Sequence, residues 1–155
     1  MAPQRMRTSR GRAASPSVVH NAALARTGAV RMLDGARAAI AEAATTTVPT
    51  ERYAAAHLAA LRGAAAVLAT RTQPTMTAAR RPTSAWRLLA DVAPELAEWA
   101  GCFAAGAGKR AAAQAGLRSA VTARDADDLL RDAQTFLALV EVTIGVLSFP
   151  VDRAG

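Results

Sequence analysis

The chain has 155 residues and a net charge of +7; alanine makes up about a quarter of it, and aromatic residues only 4%. A chain of this length forms one domain without needing a disulfide or a structural metal, and its single cysteine, Cys102, excludes an intramolecular disulfide. No apolar run approaches the roughly 18 residues of a transmembrane helix, and no apolar segment of signal-peptide type follows the first arginines, so we expect a cytoplasmic protein with no membrane association.

The amino terminus is basic and lacks any apolar period. Residues 1–17 combine arginine, serine, glycine and proline, which predicts a disordered tail, and their four arginines carry more than half of the net charge. One interpretation is that the arginines of this tail, together with a later arginine pair, bind phosphates non-specifically. The alternative interpretation is a solvated tail with no binding role. The candidate phosphate contacts are Arg5, Arg7, Arg10, Arg12, Arg80 and Arg81.

Two helices are predicted next, over residues 18–44 and 49–70, with a threonine run and Pro49 between them. In the first helix, apolar side chains and the aliphatic part of one arginine side chain recur at helical spacing, at Val30, Leu33, Arg37 and Ile40. The second has the clearest apolar face in the chain, which predicts a helix that packs in the core. That face contains Tyr53, His57, Leu61, Ala64 and Leu68.

A polar connector over residues 71–83 leads to a third helix that begins near Ser84, is broken near Pro94 and ends at Gly116. Its two tryptophans, Trp86 and Trp99, are interpreted as core or interface anchors.

A fourth helix follows Thr122, which has Asp125 three residues later, the spacing of a capping box. Its apolar stripe continues to residue 149, and residues 150–155 form a carboxy-terminal tail. No segment has the two-residue period of a strand. The sequence therefore predicts an all-α fold, an antiparallel up-and-down four-helix bundle over residues 18–149.

Three phrases within residues 30–147, YAAAHLAAL, APELAEWA and TARDADDLL, resemble the HEPN domain, and specifically an uncharacterised actinobacterial HEPN subfamily. The resemblance implies a helical bundle that often dimerises, in a prokaryotic setting where many relatives act on RNA or partner nucleotidyltransferases. It also implies that ribonuclease members use an arginine and a histidine four to six residues apart, late in the bundle and from two protomers. The equivalent late helix here, residues 121–145, has Arg124 and Arg131 but no histidine.

One arginine and one histidine do have that spacing, Arg52 and His57, but they lie in the second predicted helix. In a ribonuclease, Arg52 would stabilise phosphate charge and His57 would act as general acid or base on a ribose hydroxyl. A five-residue offset places the two about 140° apart around a helix. This favours the plainer interpretation, in which His57 packs in the core and Arg52 points to solvent.

Other constellations are rejected as sites. The glycines before Lys109 lack the preceding strand and the spacing of a phosphate loop. The acids that begin the fourth helix are explained by capping and by the helix dipole. The sequence therefore predicts no metal, no cofactor and no further catalytic group. The rejected acids are Asp125, Asp128 and Asp132, and the pair Glu95 and Glu98, which is interpreted as a solvated face.

Three functions remain open from the sequence. The first is a non-catalytic HEPN-like interaction module that forms a homodimer or binds a helical, nucleic-acid-linked or nucleotidyltransferase-type partner. The second is a metal-independent ribonuclease that uses Arg52 and His57 across a dimer. The third is a nucleic-acid-associated accessory protein that acts through its arginine-rich tail.

Overall fold

The structure is a computed structural model that describes residues 13–71 and 82–145 of the chain, apart from the side chains of residues 82–84. The described part is helical and contains no strand. Its helices are α1 (Pro16–Thr45), α2 (Pro49–Arg71), α3 (Pro82–Val92), α4 (Ala97–Ala105), α5 (Ala107–Gln114) and α6 (Ala123–Thr143), with short 3-10 helices at Pro94–Leu96 and Arg118–Ala120.

Helix α2 is the centre of the fold. It forms a hairpin with α1, packs along α6, and contacts α3 and α5 on its other sides. Alanines dominate its buried surface, which lets the neighbouring helices approach closely. By length and composition α2 is the one described helix able to cross a membrane, yet 61% of that apolar window is buried inside the fold, as in many core helices.

The all-α prediction is confirmed, but the third predicted helix is three helices, so the described residues contain six α-helices rather than four. The predicted break near Pro94 is confirmed, because a 3-10 turn begins there. A second break falls at Gly106, and Gly116 follows with a φ of +80°, a conformation that glycine adopts without strain. The up-and-down four-helix topology stays a prediction.

The start of α6 is built as the sequence predicts. The Thr122 hydroxyl accepts a hydrogen bond from the Asp125 backbone N–H at 3.0 Å, and the Asp125 carboxylate accepts one from the Thr122 N–H at 3.0 Å. These bonds satisfy two N–H groups that the first turn of a helix otherwise leaves free. They also lower the pKa of Asp125, with Lys109 as a further cause.

The predicted stripe of α1 is correct in part: Leu33 is fully buried and Ile40 packs against the core, but Val30 and Arg37 are exposed. Val30 lies 36% exposed, and Arg37 reaches outward to the Glu141 carboxylate at 2.6 Å. Apart from Leu33, the buried residues of α1 are alanines, because α2 is itself lined with alanine and comes close. The buried residues of α1 are Ala29, Leu33, Ala36, Ala39 and Ala43.

Two helix starts also differ from the prediction. Helix α1 begins at Pro16, two residues inside the predicted tail, since proline is favoured in the first turn of a helix. Helix α3 begins at Pro82 rather than near Ser84 for the same reason. The predicted phosphate contacts Arg5, Arg7, Arg10, Arg12, Arg80 and Arg81, and the chain beyond Gly145, lie outside the described residues.

Aromatic rings fill the space that the alanines leave. Phe103 of α4 stacks on Trp86 of α3 with ring centroids 5.2 Å apart, and lies equally close to Phe136 of α6. Trp99 completes the cluster, 6.0 Å from Phe136. Both tryptophans therefore anchor the core, with Trp86 buried and Trp99 half-buried.

Candidate functional site

Arg52 and His57 are the sequence-predicted catalytic candidates, and both lie on α2 within the fold. The two side chains leave the helix in different directions. Arg52 reaches the junction of α1 and α6, whereas His57 faces α3 and α4. The structure therefore places the pair in two separate environments rather than in one site.

Arg52 closes the carboxy-terminal end of α1. Its Nε donates to the carbonyls of Ala43 and Thr46, both at 3.2 Å, and its Nη2 donates to the Thr46 carbonyl at 2.8 Å. Its Nη1 forms an ion pair with Asp127 near the start of α6. The expectation that Arg52 points to solvent is wrong, because the last carbonyls of α1 have no partner within their own helix and attract a cation.

His57 is 1% exposed. Its Nε2 donates to the carbonyl oxygen of Phe103 at 3.1 Å. The imidazole edge meets the rings of Trp86 and Phe103 at centroid distances of 5.9 and 6.2 Å, both nearly perpendicular. The prediction that His57 packs in the core is confirmed.

The surroundings of His57 disfavour its protonated form. Burial lowers its pKa below the ordinary 6.5, and the positive charge of Arg110 lowers it further, against the opposing effect of the hydrogen bond to Phe103. Its Nδ1 is buried and has no hydrogen-bond partner among the described residues. A general base must lie within about 3 Å of the proton that it removes. Because the His57 side chain is 1% exposed, a substrate at the protein surface does not come this close to its Nδ1.

Tyr53 lies one helical turn before His57 and is buried on the same side of α2. It is 5% exposed, and its pKa is raised by burial and by the charges of Asp125 and Cys102. Its hydroxyl lies 2.9 Å from the position that a Cβ on Gly106 would occupy. A side chain at Gly106 would therefore require the buried Tyr53 ring or the end of α4 to shift.

The remaining acids do not assemble into a metal site. Asp125 caps α6, and Asp128 pairs with Arg131 and, at 3.9 Å, with Arg124. Within residues 13–71 and 82–145, no three histidine, cysteine, aspartate or glutamate side chains are grouped as ligands.

The two glutamates of the predicted solvated pair have different surroundings. Glu95 forms an ion pair with Arg71 at 2.5 Å, and the hydrogen bond from Arg71 lowers its pKa. Glu98 instead lines a surface cleft, so the two carboxylates do not face each other.

That cleft is a feature that sequence reasoning missed. It has a volume of about 320 Å³ between α4 and α6 and is lined by Glu98, Trp99, Cys102 and Asp132. The pKa of the Cys102 thiol is raised by partial burial and then by the two carboxylates. Glu98 and Cys102 are four residues apart, a spacing that brings both to one face of a helix. Asp132 belongs to α6, and no pattern in the sequence indicates that it lies beside them.

Residues 43–141 match the family model of the SAV_6107-like HEPN domain. This match covers well over half of the chain and includes α2 with both candidate residues. Neither the curated proteins nor the solved structures contain a significant match to the chain.

Proposed function

Because the chain belongs to the SAV_6107-like HEPN family, we propose that it is a non-catalytic helical module that acts by binding another chain, in the first instance a second copy of itself. The observation that carries the non-catalytic part is the burial of His57. A side chain that is 1% exposed and hydrogen-bonded to a backbone carbonyl offers no acid or base to a substrate.

The state of Arg52 supports the same proposal. A phosphate-binding arginine needs N–H donors that are free to form paired bonds to phosphate oxygens. In Arg52, the Nε and Nη2 donors are held by carbonyls of the α1 end, and Nη1 is held by Asp127. A paired contact to phosphate through Nε and Nη2 would therefore compete with bonds that join Arg52 to the end of α1.

The first test is RNA cleavage. We expect the purified chain, incubated with end-labelled RNA and excess EDTA between pH 6 and 8, to cleave no faster than its His57→Gln variant, because His57 is not accessible. His20→Gln, which removes the other histidine of the chain from an exposed position on α1, is the matched control. Chelator-resistant cleavage that is retained in the control and lost in His57→Gln would show that the chain is a ribonuclease.

The binding surface that we assign to a second copy is the α1 arm, residues 16–28. Helix α1 has 30 residues and α2 has 23, so α1 is longer by about 10 Å at 1.5 Å per residue. Val18, Val19 and Leu24 of the arm are 56%, 57% and 59% exposed. Of these three, Val18 continues the face of Ala29 and Ala36 that packs on α2, whereas Val19 and Leu24 lie about 100° and 120° away from it around the helix.

A second copy is the occupant that fits a stripe of this kind. In a two-fold dimer the same patch of each protomer faces its own equivalent, so one apolar stripe is buried twice without any complementary surface elsewhere on the chain. The arm lacks acidic residues, and its one arginine, Arg26, already donates to the Gly145 carbonyl at 3.3 Å. The contact between two arms would therefore be mainly apolar.

The second test is the mass in solution. We expect light scattering to give a dimer for the wild-type chain and a monomer for Val18→Glu/Val19→Glu, because each arm would then place two carboxylates in the apolar contact. The control, Leu139→Glu/Val142→Glu, changes two exposed apolar residues of α6 and should remain dimeric. A wild-type monomer at high concentration, or a dimer that only the α6 variant dissociates, would remove the arm as the self-association surface and leave a different chain, such as a nucleotidyltransferase-type partner, as the occupant.

A further inference from the structure

Another cleft lies at the end of the fold where the α1 arm extends past α2 and α6. It has a volume of about 360 Å³, and most of the residues around it are apolar. The arm supplies four of them, and the ends of α2 and α6 supply one each. The lining residues are Ala22, Ala23, Ala25, Arg26, Thr70 and Ile144.

The arm side of this cleft continues the buried face of α1. Ala25 and Ala22 lie four and seven residues before Ala29, which is fully buried, so all three share one side of the helix. Ala25 is half-buried and Ala22 is exposed. The apolar face therefore extends past the end of α2, where the described helices cover it less.

Helix α6 ends at the rim of the same cleft. Its last residue is Thr143, and Gly145 follows with a φ of +72° and donates its N–H to the Val142 carbonyl at 3.1 Å. A left-handed glycine after a helix turns the chain back across the end of that helix. The Gly145 carbonyl accepts a hydrogen bond from Arg26 at 3.3 Å, and Ile144 lines the cleft, so the chain leaves the described part directly beside the arm.

The residues that follow in the sequence are apolar. Residues 146–151, which lie outside the described part of the chain, read Val-Leu-Ser-Phe-Pro-Val, and the apolar stripe predicted for α6 continues into them. Phe149 follows Ile144 by five residues, which span at most about 17 Å of extended chain. The arm residues of the cleft, 22 to 26, occupy only about 6 Å of helix, so the whole cleft lies within reach.

We propose that residues 146–151 bind in this cleft of their own chain and form an apolar strap that ties the α1 arm to the end of α6. The strap begins at the rim, so its effective concentration at the cleft is on the order of millimolar, above that of any separate chain in a dilute solution. Its occupation of the α2 side of the arm leaves Val19 and Leu24, on other faces, to the second copy.

Disulfide trapping tests where the strap binds. In a Cys102→Ser background, which removes the one native thiol, Phe149→Cys is combined with Ala22→Cys and the full chain is oxidised in a glutathione buffer. The matched control combines Phe149→Cys with Leu24→Cys, which lies within the same reach but about 160° around the helix from Ala22. We expect the intramolecular disulfide with Ala22→Cys to form on the order of tenfold faster than the one with Leu24→Cys.

The exposure of Leu24 makes this a strict comparison, because a strap that stays in solvent would favour the 59% exposed control position. Equal rates, or a faster reaction with Leu24→Cys, would overturn the proposal. A disulfide between two chains, seen as a dimer on a denaturing gel, would also overturn it and assign the cleft to the strap of a second copy. The arm dimer is tested separately by the mass in solution, so either proposal can fail alone.

Hydrogen exchange gives a second measurement without added cysteines. We expect Leu147→Ser/Phe149→Ser to speed the amide exchange of residues 22–26 on the order of tenfold, because the arm loses packing that protects its backbone. The control Asp152→Ser, beyond the strap, should leave this exchange unchanged. The measurement is made at a concentration where light scattering gives a monomer, so that a second copy does not protect the arm. Exchange that Leu147→Ser/Phe149→Ser leaves unchanged would show that the strap does not bind in the cleft.

Discussion

Replacing Phe103 by alanine is expected to lower the free energy of unfolding by about 3–5 kcal/mol, the range for removing a large aromatic side chain from a packed core. Phe103 is fully buried, and its ring lies within 5.2 Å, centroid to centroid, of both Trp86 and Phe136. In a core built mainly from alanines, few side chains are large enough to move into the space. We therefore expect a loss near the upper end of the range.

Chemical denaturation followed by far-ultraviolet circular dichroism measures this effect. Phe103→Leu should lose less than the alanine variant, because it keeps most of the volume. Leu117→Ala, at a position that is 56% exposed, should change stability by no more than about 0.5 kcal/mol. A loss of under about 1 kcal/mol in Phe103→Ala, with an unchanged dependence on denaturant, would contradict the role given to this ring as the centre of the core.

The features of this fold that the sequence predicts are those encoded by a few neighbouring residues. The Thr122 and Asp125 capping box and the break at Pro94 both depend on spacing along the chain, and both are present. The all-α fold follows from composition and periodicity in the same way. The break at Gly106 is different, because the close approach of the Tyr53 hydroxyl there depends on a residue from another helix.

The face of α1 illustrates what the sequence does not encode locally. In an alanine-rich helix several stripes have nearly the same hydrophobicity, so the larger side chain of Val30 suggests a core position that the structure does not give it. The buried face is decided by close approach to α2, which favours the small residues Ala29, Ala36 and Ala43. Size, rather than hydrophobicity alone, selects the contact.

The two candidate catalytic residues also differ in whether a local pattern predicts their surroundings. Helical periodicity is sufficient to predict that His57 is buried, as it is in the structure. The role of Arg52 needs the three-dimensional fold, because its partners are the carbonyls of Ala43 and Thr46 and the carboxylate of Asp127. An arginine with the spacing of a catalytic motif therefore joins three helices, which no pattern within α2 indicates.

Replacing Gly63 by valine is expected to lower the free energy of unfolding by about 1–3 kcal/mol, the usual cost of extra methyl groups in a packed core. A Cβ at this position would lie 2.6 Å from Cδ2 of Leu137, 3.4 Å from Cε1 of Phe136 and 3.7 Å from Cγ2 of Val140. Leu137 can turn its terminal methyl group away from a single Cβ. The two further methyl groups of valine would also meet Phe136 and Val140, so α2 and α6 would have to move apart.

A graded series separates this clash from the general effect of removing a glycine. Gly63→Ala should be close to neutral, because the gain of about 1 kcal/mol in helix propensity offsets the movement of Leu137. Gly28→Val, in α1, is the matched control, since a Cβ there meets nothing within 4 Å and the helix should be unchanged or slightly more stable. If Gly63→Val proves as stable as Gly28→Val in chemical denaturation, α2 and α6 do not approach as closely as the structure has them. Because α2 also carries His57, a separation of α2 from α6 in Gly63→Val should reach the aromatic cluster and change the near-ultraviolet signal of the tryptophans, whereas Gly28→Val should leave that signal intact.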